Sequence, residues 1–522
     1  MLNESVTVDE FTHLPSGYSY LKTGTFHLGN TNPPLGKVLA AIPLWIKNIE
    51  FAKTPAFEKG DFWAYGYDFM FGHKNSYIAL FRYARVVIIL IGLLGGCLVF
   101  FWSRELYGVK SACLALFLYT LCPNLLAHSH LVTMDVVGST FLFAALYFLY
   151  RWTCHKSWSE TLIAGVFLGL AQLTKFTALI LYPVFIIYCV FLSLKYGKFN
   201  SKDWIKLALI VLISIFILNG GYLFHGSFTP LKMFHFTSSF MQSVTRGLPG
   251  VFRVPLPFDY VAGFDFQKNE TEGKYLQFLM GTFSRDGWWY YYLAAFIFKV
   301  PFSFLILLLI LVAFQFFRRL PRFFDGEYLI LLAISLYVLM MSLGRHNIGF
   351  RFMLPVLPLL YVLASRIILV KLKNRVKVIF LSIIILTYAI ESLSASPHFL
   401  SFFNLLAGGP KNGYKYLIDS NIDWGQDLPS LKEYMDKNKI DTIDLAYFGR
   451  VDPAIYGIDY RLLDKETRGA RVAVSVNYYQ GYPYILFKDY SLEGAPRGYY
   501  TYLHQYPIRA RIGYSILIIE IP

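Results

Sequence analysis

The sequence is short of charged residues. Asp, Glu, Lys and Arg make up only 16% of its 522 residues, where a soluble protein carries about a quarter. Stretches such as 86–101, 207–224 and 303–316 contain no charged residue at all. They approach the roughly 20 apolar residues that cross a hydrocarbon core. The composition therefore excludes a soluble globular protein and predicts a polytopic integral membrane protein.

Cysteine is scarce as well. The five cysteines lie in or beside apolar segments: Cys97, Cys113, Cys122, Cys154 and Cys189. This pattern offers neither a disulfide framework nor a zinc cluster. Small apolar side chains packed between helices explain these residues.

Acidic residues are outnumbered, with 33 Asp and Glu against 48 Lys and Arg and a formal net charge of +15. In a soluble protein this excess would suggest nucleic acid as a partner. Here the basic residues concentrate in short loops between apolar runs, which is typical of membrane orientation. We therefore expect membrane partners and no nucleic acid.

The apolar runs predict ten spanning helices. They lie at 83–102, 109–124, 136–150, 158–173, 176–194, 207–224, 291–317, 327–344, 352–370 and 376–393. Lys and Arg fill every second loop, and that side should face the cytoplasm. The sequence therefore predicts a multi-pass inner (plasma) membrane protein whose active site faces the periplasm or exterior.

Three parts follow from this topology. Residues 1–82 form a first extracytoplasmic loop, residues 83–393 the ten-helix transmembrane domain with an extracytoplasmic loop at 225–290, and residues 394–522 a small extracytoplasmic α/β domain. In the last part, 428–438 predicts a helix, whereas 442–448, 471–476 and 514–521 predict strands. Because the N-terminus lies outside in this topology, we expect a further spanning helix upstream of residue 1.

Carboxylates on the outer side are the first candidates for chemistry. Asp9 and Glu10 lie in the first extracytoplasmic stretch, and Asp135 lies where one predicted helix ends outside and the next begins. A carboxylate can take the proton of an acceptor during group transfer. A solvated acidic pair is the simpler explanation for Asp9 and Glu10, and helix N-capping is the simpler one for Asp135.

Histidines near Asp135 raise the question of a metal. Asp9, Asp135, His128 and His130 could together hold a divalent ion such as Mg²⁺ or Mn²⁺, although their spacing matches no specific metal motif. No other cofactor is indicated.

Basic residues at the outer membrane face are the second group of candidates. A phosphate on a lipid carrier suits them, because fixed cations stabilise the charge that grows on a phosphate leaving group. Snorkelling to lipid headgroups explains part of the set equally well. The set comprises Lys37, Lys175, Arg285, Lys299, Arg345 and Arg351, with His346 beside Arg345.

Several motifs resemble one known family. They are Asp9-Glu10 with His13 and Gly17, Asn32-Pro33-Pro34-Leu35 with Lys37, Thr174-Lys175, the block 287–291 with Lys299-Val300-Pro301, the stretch 345–355 and the tail motif 419–428. Together they resemble GT-C glycosyltransferases, specifically bacterial members of glycosyltransferase family 39, which are phospholipid-carrier-dependent and related to protein O-mannosyltransferases. The resemblance spans nearly the whole chain.

The resemblance implies a function and a set of roles. A sugar would move from a polyprenyl-phosphate donor to a lipid, glycan or protein acceptor on the extracytoplasmic side, with inversion at the anomeric carbon in the family's manner. Asp9 would be the catalytic carboxylate, with Glu10 beside it and Asp135 as the second acidic position. Donor-phosphate contacts are expected from Lys37, Lys175, Arg285, Arg345 and His346.

A secondary transporter or lipid flippase is the alternative. Transporters place polar groups at the midplane of broken helices and often consist of repeated halves. In this sequence the acidic residues cluster in outer loops and no repeat is visible, which favours the enzyme.

Overall fold

The structure is a computed structural model that describes residues 3–197, 199–272, 275–488 and 491–522, without the side chains of residue 374 and residues 484–495. The N-terminal stretch, predicted as a loop, folds into four helices. They are α1 (Glu10–Thr23), α2 (Leu35–Ile46), α3 (Pro55–Lys59) and α4 (Phe62–Gly72).

A long bundle of apolar helices follows. Its first half comprises α5 (Tyr77–Tyr107), α6 (Val109–Thr120), α7 (Pro123–His128), α8 (Met134–His155), α9 (Trp158–Gln172), α10 (Leu181–Tyr196) and α11 (Ser201–Gly221). An excursion then carries α12 (Ser239–Thr245), α13 (Phe258–Thr271) and the hairpin β1 (Gln277–Leu279) and β2 (Thr282–Ser284). The second half comprises α14 (Tyr291–Lys299), α15 (Phe302–Phe316), α16 (Asp325–Leu343), α17 (Val356–Ser365) and α18 (Asn374–Leu393).

Each of the ten predicted spans is largely helical, but fewer are long enough to cross a membrane unaided. Among the described residues, five helices qualify by length and composition: Tyr77–Tyr107, Phe176–Tyr196, Ser201–Gly221, Asp325–Leu343 and Arg375–Leu393. The bent pair α14 and α15 would make a sixth, and Val109–Thr120 and Val356–Leu369 are shorter apolar helices. The mostly helical membrane fold with a small tail domain is confirmed.

The helix predicted over 291–317 is broken rather than continuous. The chain bends by 112° between α14 and α15. Pro301 lacks a backbone donor and forces the residue before it out of the helical region, and Val300 is indeed extended. The side-chain amide of Asn404 donates to the backbone carbonyls of Ile297 (2.5 Å) and Val300 (2.7 Å) at the break. The tail domain thereby satisfies the backbone groups that the bend leaves free.

The tail contains the predicted helix as α20 (Leu428–Lys437), between the short helices α19 (Pro410–Gly413) and α21 (Val476–Tyr479). The predicted strands are confirmed as β3 (Thr442–Ala446), β5 (Ala470–Ser475) and β9 (Ile516–Ile521). Sequence analysis did not predict β4 (Asp459–Leu462), β8 (Ile508–Ile512) or the hairpin β6 (Tyr484–Lys488) and β7 (Ser491–Ala495). The main sheet has the order β4-β3-β5-β9-β8, with β3 parallel to both neighbours and β9 antiparallel to both of its own.

The N-terminal residues are tied to this tail. The Ser5 amide donates to the Gln426 carbonyl (2.9 Å), and the Val8 amide donates to the Trp424 carbonyl (3.1 Å). Because Asp9 follows directly, the tail holds the start of α1 in place. A second contact joins the bundle to the tail: the buried ammonium of Lys299 donates to the carbonyls of Leu400 (2.9 Å) and Asn421 (2.6 Å).

A buried ion pair closes the opposite end of the bundle. The Arg366 guanidinium lies 2.8 Å from Glu327, which also accepts from the Tyr107 hydroxyl (2.8 Å). Removing one partner of a buried pair leaves the other charge unpaired, at a cost of about 3–5 kcal/mol.

We therefore expect Arg366→Met to lower the free energy of unfolding by about that amount, seen as a lower Tm in detergent. The exposed Lys371→Met is the matched control, and an equal Tm for both variants would contradict this assignment.

Candidate active site

One cavity of about 530 Å³ opens where the N-terminal helices, the bundle and the tail meet. Asp9, Asp135, Lys175 and Arg351, which we call the floor, line the cavity together with residues of the tail and of α13. The volume lies in the range of small-molecule sites, about 300–1,000 Å³.

A chain of alternating charges crosses the floor. Nη1 of Arg351 lies 2.5 Å from Oδ2 of Asp9 and 3.6 Å from Oδ2 of Asp135. The other oxygen of Asp135 accepts from the Lys175 ammonium at 2.6 Å. Asp135 is buried, whereas a quarter of the Asp9 side chain is exposed. Two carboxylates are thus held together by two cations at the end of the bundle.

Neither aspartate caps a helix. Asp9 stands at the N-cap position of α1 but makes no side-chain cap hydrogen bond, and Thr133, not Asp135, occupies the N-cap of α8. An N-cap aspartate would normally accept from the first turn. Asp9 instead turns to Arg351. Its Oδ1 has no hydrogen-bond partner within the described ranges, so this oxygen is free to accept a proton.

Glu10 does not line the cavity. Its buried carboxylate accepts from Arg85 (2.8 and 2.6 Å), from the Thr7 amide (3.0 Å) and hydroxyl (3.1 Å), and from the Val132 amide (2.9 Å). Burial alone would raise the pKa of Glu10, but Arg85 and these N–H groups hold it below its ordinary value. The geometry gives Glu10 a positioning part, since it joins α1 to α5 and to the turn before α8.

The histidines predicted as metal ligands contact other side chains. His130 shares a 2.9 Å contact with Glu4, and His128 packs edge-on against Trp424. Arg351 stands between the two carboxylates where a shared cation would bind. Within the part of the chain that the structure describes, no three His, Cys, Asp or Glu side chains are grouped to hold a metal. The residues therefore do not fit a metal site in this conformation.

The predicted phosphate ligands divide into two groups. Lys175 and His346 line the cavity. Lys37 is buried outside it, where its ammonium donates to the carbonyls of Gly29 and Asn32 and so holds the loop that carries Asn32. Arg285 and Arg345 are exposed on the β2 side, where Arg345 lies 3.7 Å from Asp286. Arg351, which lines the cavity, was one of the six basic candidates but was not among the expected phosphate ligands.

Four buried polar atoms of residues that line the cavity have no hydrogen-bond partner among the described residues: Asn32 Oδ1, Asp135 Oδ2, His346 Nδ1 and Arg351 Nε. An unpaired buried polar atom costs about 1–3 kcal/mol. Burial lowers the pKa of His346 to about 3, with Arg351 and Lys175 adding to the effect. A neutral imidazole and a guanidinium with an N–H that lacks a hydrogen-bond partner thus belong to residues that line the cavity.

The tail contributes a third carboxylate, Asp419, from the motif 419–428. Asp419 lines the cavity. Its backbone is in the left-handed region, with φ +59°, a conformation that Asp adopts more readily than most residues. Burial raises the pKa of the Asp419 carboxyl to about 6, against the opposing effects of the Ser420 N–H and Arg351. Farther along the same motif, the Asp423 side chain shapes a turn by accepting from the Gly425 amide (2.9 Å). Asp427 does not cap α20, but accepts from Ser515 instead.

Comparisons with known proteins give one family match and several similar folds. Residues 79–220 match the family described as dolichyl-phosphate-mannose-protein mannosyltransferase. The fold is similar to that of ArnT from Cupriavidus metallidurans bound to undecaprenyl phosphate, with a TM-score of 0.51 and 12% identity, covering 99% of this chain and 94% of that one. The oligosaccharyltransferase AglB from Archaeoglobus fulgidus, in complex with an inhibitory peptide and a dolichol-phosphate, aligns with a TM-score of 0.46 and 12% identity over 98% of this chain and 72% of that one. Curated protein sequences give no match.

The partial family match and the shared fold confirm the resemblance that the sequence motifs indicated. The chain is a multi-pass membrane protein with the GT-C glycosyltransferase fold.

Asp419 predicts a pH dependence. Its raised pKa means that the carboxyl is neutral below about pH 6 and gains a negative charge above it. That charge repels an anionic donor beside Arg351. The donor KM should therefore rise roughly three- to tenfold between about pH 5 and about pH 7. Asp419→Asn should flatten the profile, whereas the exposed Asp436→Asn should keep it. A full rise in Asp419→Asn would contradict the assignment.

Gly17 predicts a packing limit near the site. A Cβ at this position would collide with the backbone carbonyl of Lys37, so α1 and α2 approach closely only because residue 17 is glycine. Gly17→Ala should destabilise the protein by about 1–3 kcal/mol and reduce transfer activity by displacing Asp9 from Arg351. Both Tm and turnover check this. Gly72→Ala is the control because no described atom lies within 4 Å of its added Cβ; equal behaviour of the two variants would refute the limit.

Proposed function

We propose that the chain transfers a sugar from a polyprenyl-phosphate donor to an acceptor on the extracytoplasmic side of the membrane. The charge chain of Asp9, Arg351, Asp135 and Lys175, which lines the cavity, is the observation that carries the proposal. It combines groups for a phosphate with a carboxylate that can take a proton.

Arg351 and Lys175 bind the donor phosphate. Nη1 of Arg351 contacts Asp9, and its Nε has no hydrogen-bond partner among the described residues. A guanidinium can donate two parallel hydrogen bonds to a phosphate. The cations sit in a partly water-excluded site, where they stabilise the charge that develops on the leaving phosphate. Neutral His346 adds a ring nitrogen that can donate to a phosphate oxygen or accept from a sugar hydroxyl.

Asp9 acts as the general base. Its Oδ1 takes the proton as the acceptor oxygen or nitrogen forms a bond to the anomeric carbon. The bond from that carbon to the phosphate oxygen breaks at the same time, and polyprenyl phosphate leaves with the electron pair. Attack on the face opposite the phosphate inverts the anomeric carbon. A positioned base of this kind contributes about 10²- to 10⁴-fold to the rate.

Asp135 and Glu10 position the reacting groups. Asp135 accepts from Lys175 and lies beside Arg351, so it aligns the two cations. Glu10 locks the start of α1 to Arg85, so Asp9 approaches Arg351 in one orientation. No step in this scheme runs through a metal, because the carboxylates that could bind one are already paired with Arg351 and Lys175.

Single substitutions test these roles through the release of polyprenyl phosphate. Asp9→Asn should lower kcat by about 10²- to 10⁴-fold with little change in donor KM. Arg351→Gln should lower kcat/KM by about 10²- to 10³-fold. Asp286→Asn and Arg345→Gln are the matched controls, since these residues are exposed on the same side of the molecule and lie outside the cavity.

Normal turnover in Asp9→Asn, or an equal loss in the Arg345→Gln control, would refute the site. Movement of the lipid-linked sugar across the membrane without sugar transfer would support a flippase instead.

A further inference from the structure

The excursion between α11 and α13 has an unusual surface. We call residues 222–257 the ribbon segment. It contains no Asp or Glu but has three basic residues, Lys232, Arg246 and Arg253. Nine large apolar side chains in it are exposed by 45% or more: Leu223, Phe224, Phe228, Met233, Phe240, Val244, Leu248, Val251 and Phe252. Exposed apolar surface on this scale marks an interaction site.

The ribbon segment has a defined shape. Its two arms are joined by hydrogen bonds from the Phe228 amide to the Val254 carbonyl (2.8 Å), from Leu231 to Phe252 (2.9 Å) and from Lys232 to Gly250 (3.0 Å). The short helix α12 lies between the two arms in sequence, and its Phe240 ring packs against Phe264 of α13. The exposed apolar side chains therefore belong to a hydrogen-bonded structure.

The base of the ribbon segment is fastened to the end of a membrane helix. Asn219, in the last turn of α11, accepts from the Ser227 hydroxyl (2.5 Å) and donates to the Pro255 carbonyl (3.1 Å). The Phe224 ring packs against Phe216 of the same helix, with centroids 5.6 Å apart. Phe216 is 64% exposed on a membrane-spanning helix, so it faces lipid. The lipid-facing surface of α11 thus continues without a break into the ribbon segment.

We propose that the ribbon segment lies in the outer leaflet as an interfacial element. Its apolar side chains enter the boundary between headgroups and acyl chains, and Lys232, Arg246 and Arg253 bind anionic lipid headgroups. Apolar side chains combined with basic residues are characteristic of segments that lie in this plane. The absence of any acidic residue from the segment matches an anionic lipid surface better than it matches a protein surface of mixed charge.

The ribbon segment is also hydrogen-bonded to α13, which lines the cavity. Asp265 of α13 accepts from the amide of Thr237 (2.7 Å) and from the amide (3.0 Å) and hydroxyl (2.6 Å) of Ser238 in the ribbon segment. The following turns of α13 line the cavity through Phe266, Gln267, Glu270 and Thr271. The ribbon segment therefore joins the bilayer surface to one wall of the site. The membrane contact itself does not depend on which reaction the site performs.

Spin labelling in nanodiscs tests the proposal. The exposed cysteines Cys97, Cys113 and Cys154 of the full-length chain are first replaced by alanine. One variant then carries a spin label at Val251→Cys, and a separate variant carries it at Glu433→Cys, an exposed position of α20. The label at 251 should collide more often with oxygen than with a water-soluble nickel complex, and the label at 433 should do the reverse. Adding phosphatidylglycerol to phosphatidylcholine discs should deepen the label at 251.

Charge variants separate lipid binding from general charge effects. Each basic residue near an anionic surface strengthens binding roughly fivefold, so K232Q/R246Q/R253Q should abolish most of the response to phosphatidylglycerol. K437Q/K439Q/K465Q removes the same charge from the exposed tail and should leave the response intact.

Water-like behaviour of the label at 251 in both kinds of disc would overturn the proposal. So would a label that is shielded only in native membranes, since a protein partner would then cover the segment.

Discussion

The site depends on the ion pairs that Arg351 makes with Asp9 and Asp135. Its guanidinium contacts Asp9 from the N-terminal segment and Asp135 from α8, and it lies over the Trp424 ring of the tail, 4.3 Å from the ring centre. Without it, two carboxylates would face each other in a partly buried place, where like charges are unfavourable. One side chain therefore joins three parts of the chain that are distant in sequence, and the cavity exists only while they stay together.

Other polar contacts around the site also join segments that are distant in sequence. Glu10 and Arg85 join the N-terminal helix to α5, and Asn404 and Lys299 join the tail to the break between α14 and α15. Each of these buried groups is satisfied by backbone carbonyls, backbone amides or an opposite charge, as low-dielectric surroundings require. The membrane bundle and the tail are thus assembled into one site by groups that would be costly to separate.

The sequence was informative where one physical property dominates. Lack of charge located the helices of the bundle, and β-branched runs located β3, β5 and β9. Lys175 was found because a cation that interrupts an apolar run needs a partner, and the structure supplies Asp135. The same signal was present at Arg85, between Ala84 and Val86, and could have identified the partner of Glu10. The bend at Pro301 was also predictable from the restriction that proline places on the residue before it.

Other features could not be predicted, for identifiable reasons. Arg345 and Arg351 lie six residues apart in a stretch without regular periodicity, so no pattern tells which one turns inward. Adjacent Asp9 and Glu10 diverge because the chain enters a helix between them, and the partner that decides their directions lies far away in sequence. Asp419 reaches the cavity only through the placement of the tail, and this placement depends on contacts such as that of Ser5 with Gln426.

The most direct test of the account is an experimental structure of the protein in lipid nanodiscs with undecaprenyl phosphate bound. We predict that the phosphate lies within about 3 Å of the Arg351 guanidinium and the Lys175 ammonium, with the isoprenoid chain leaving toward the bilayer and Asp9 facing the open side of the cavity. A phosphate bound instead at exposed Arg285 or Arg345, with Arg351 still paired only to Asp9 and Asp135, would contradict the account.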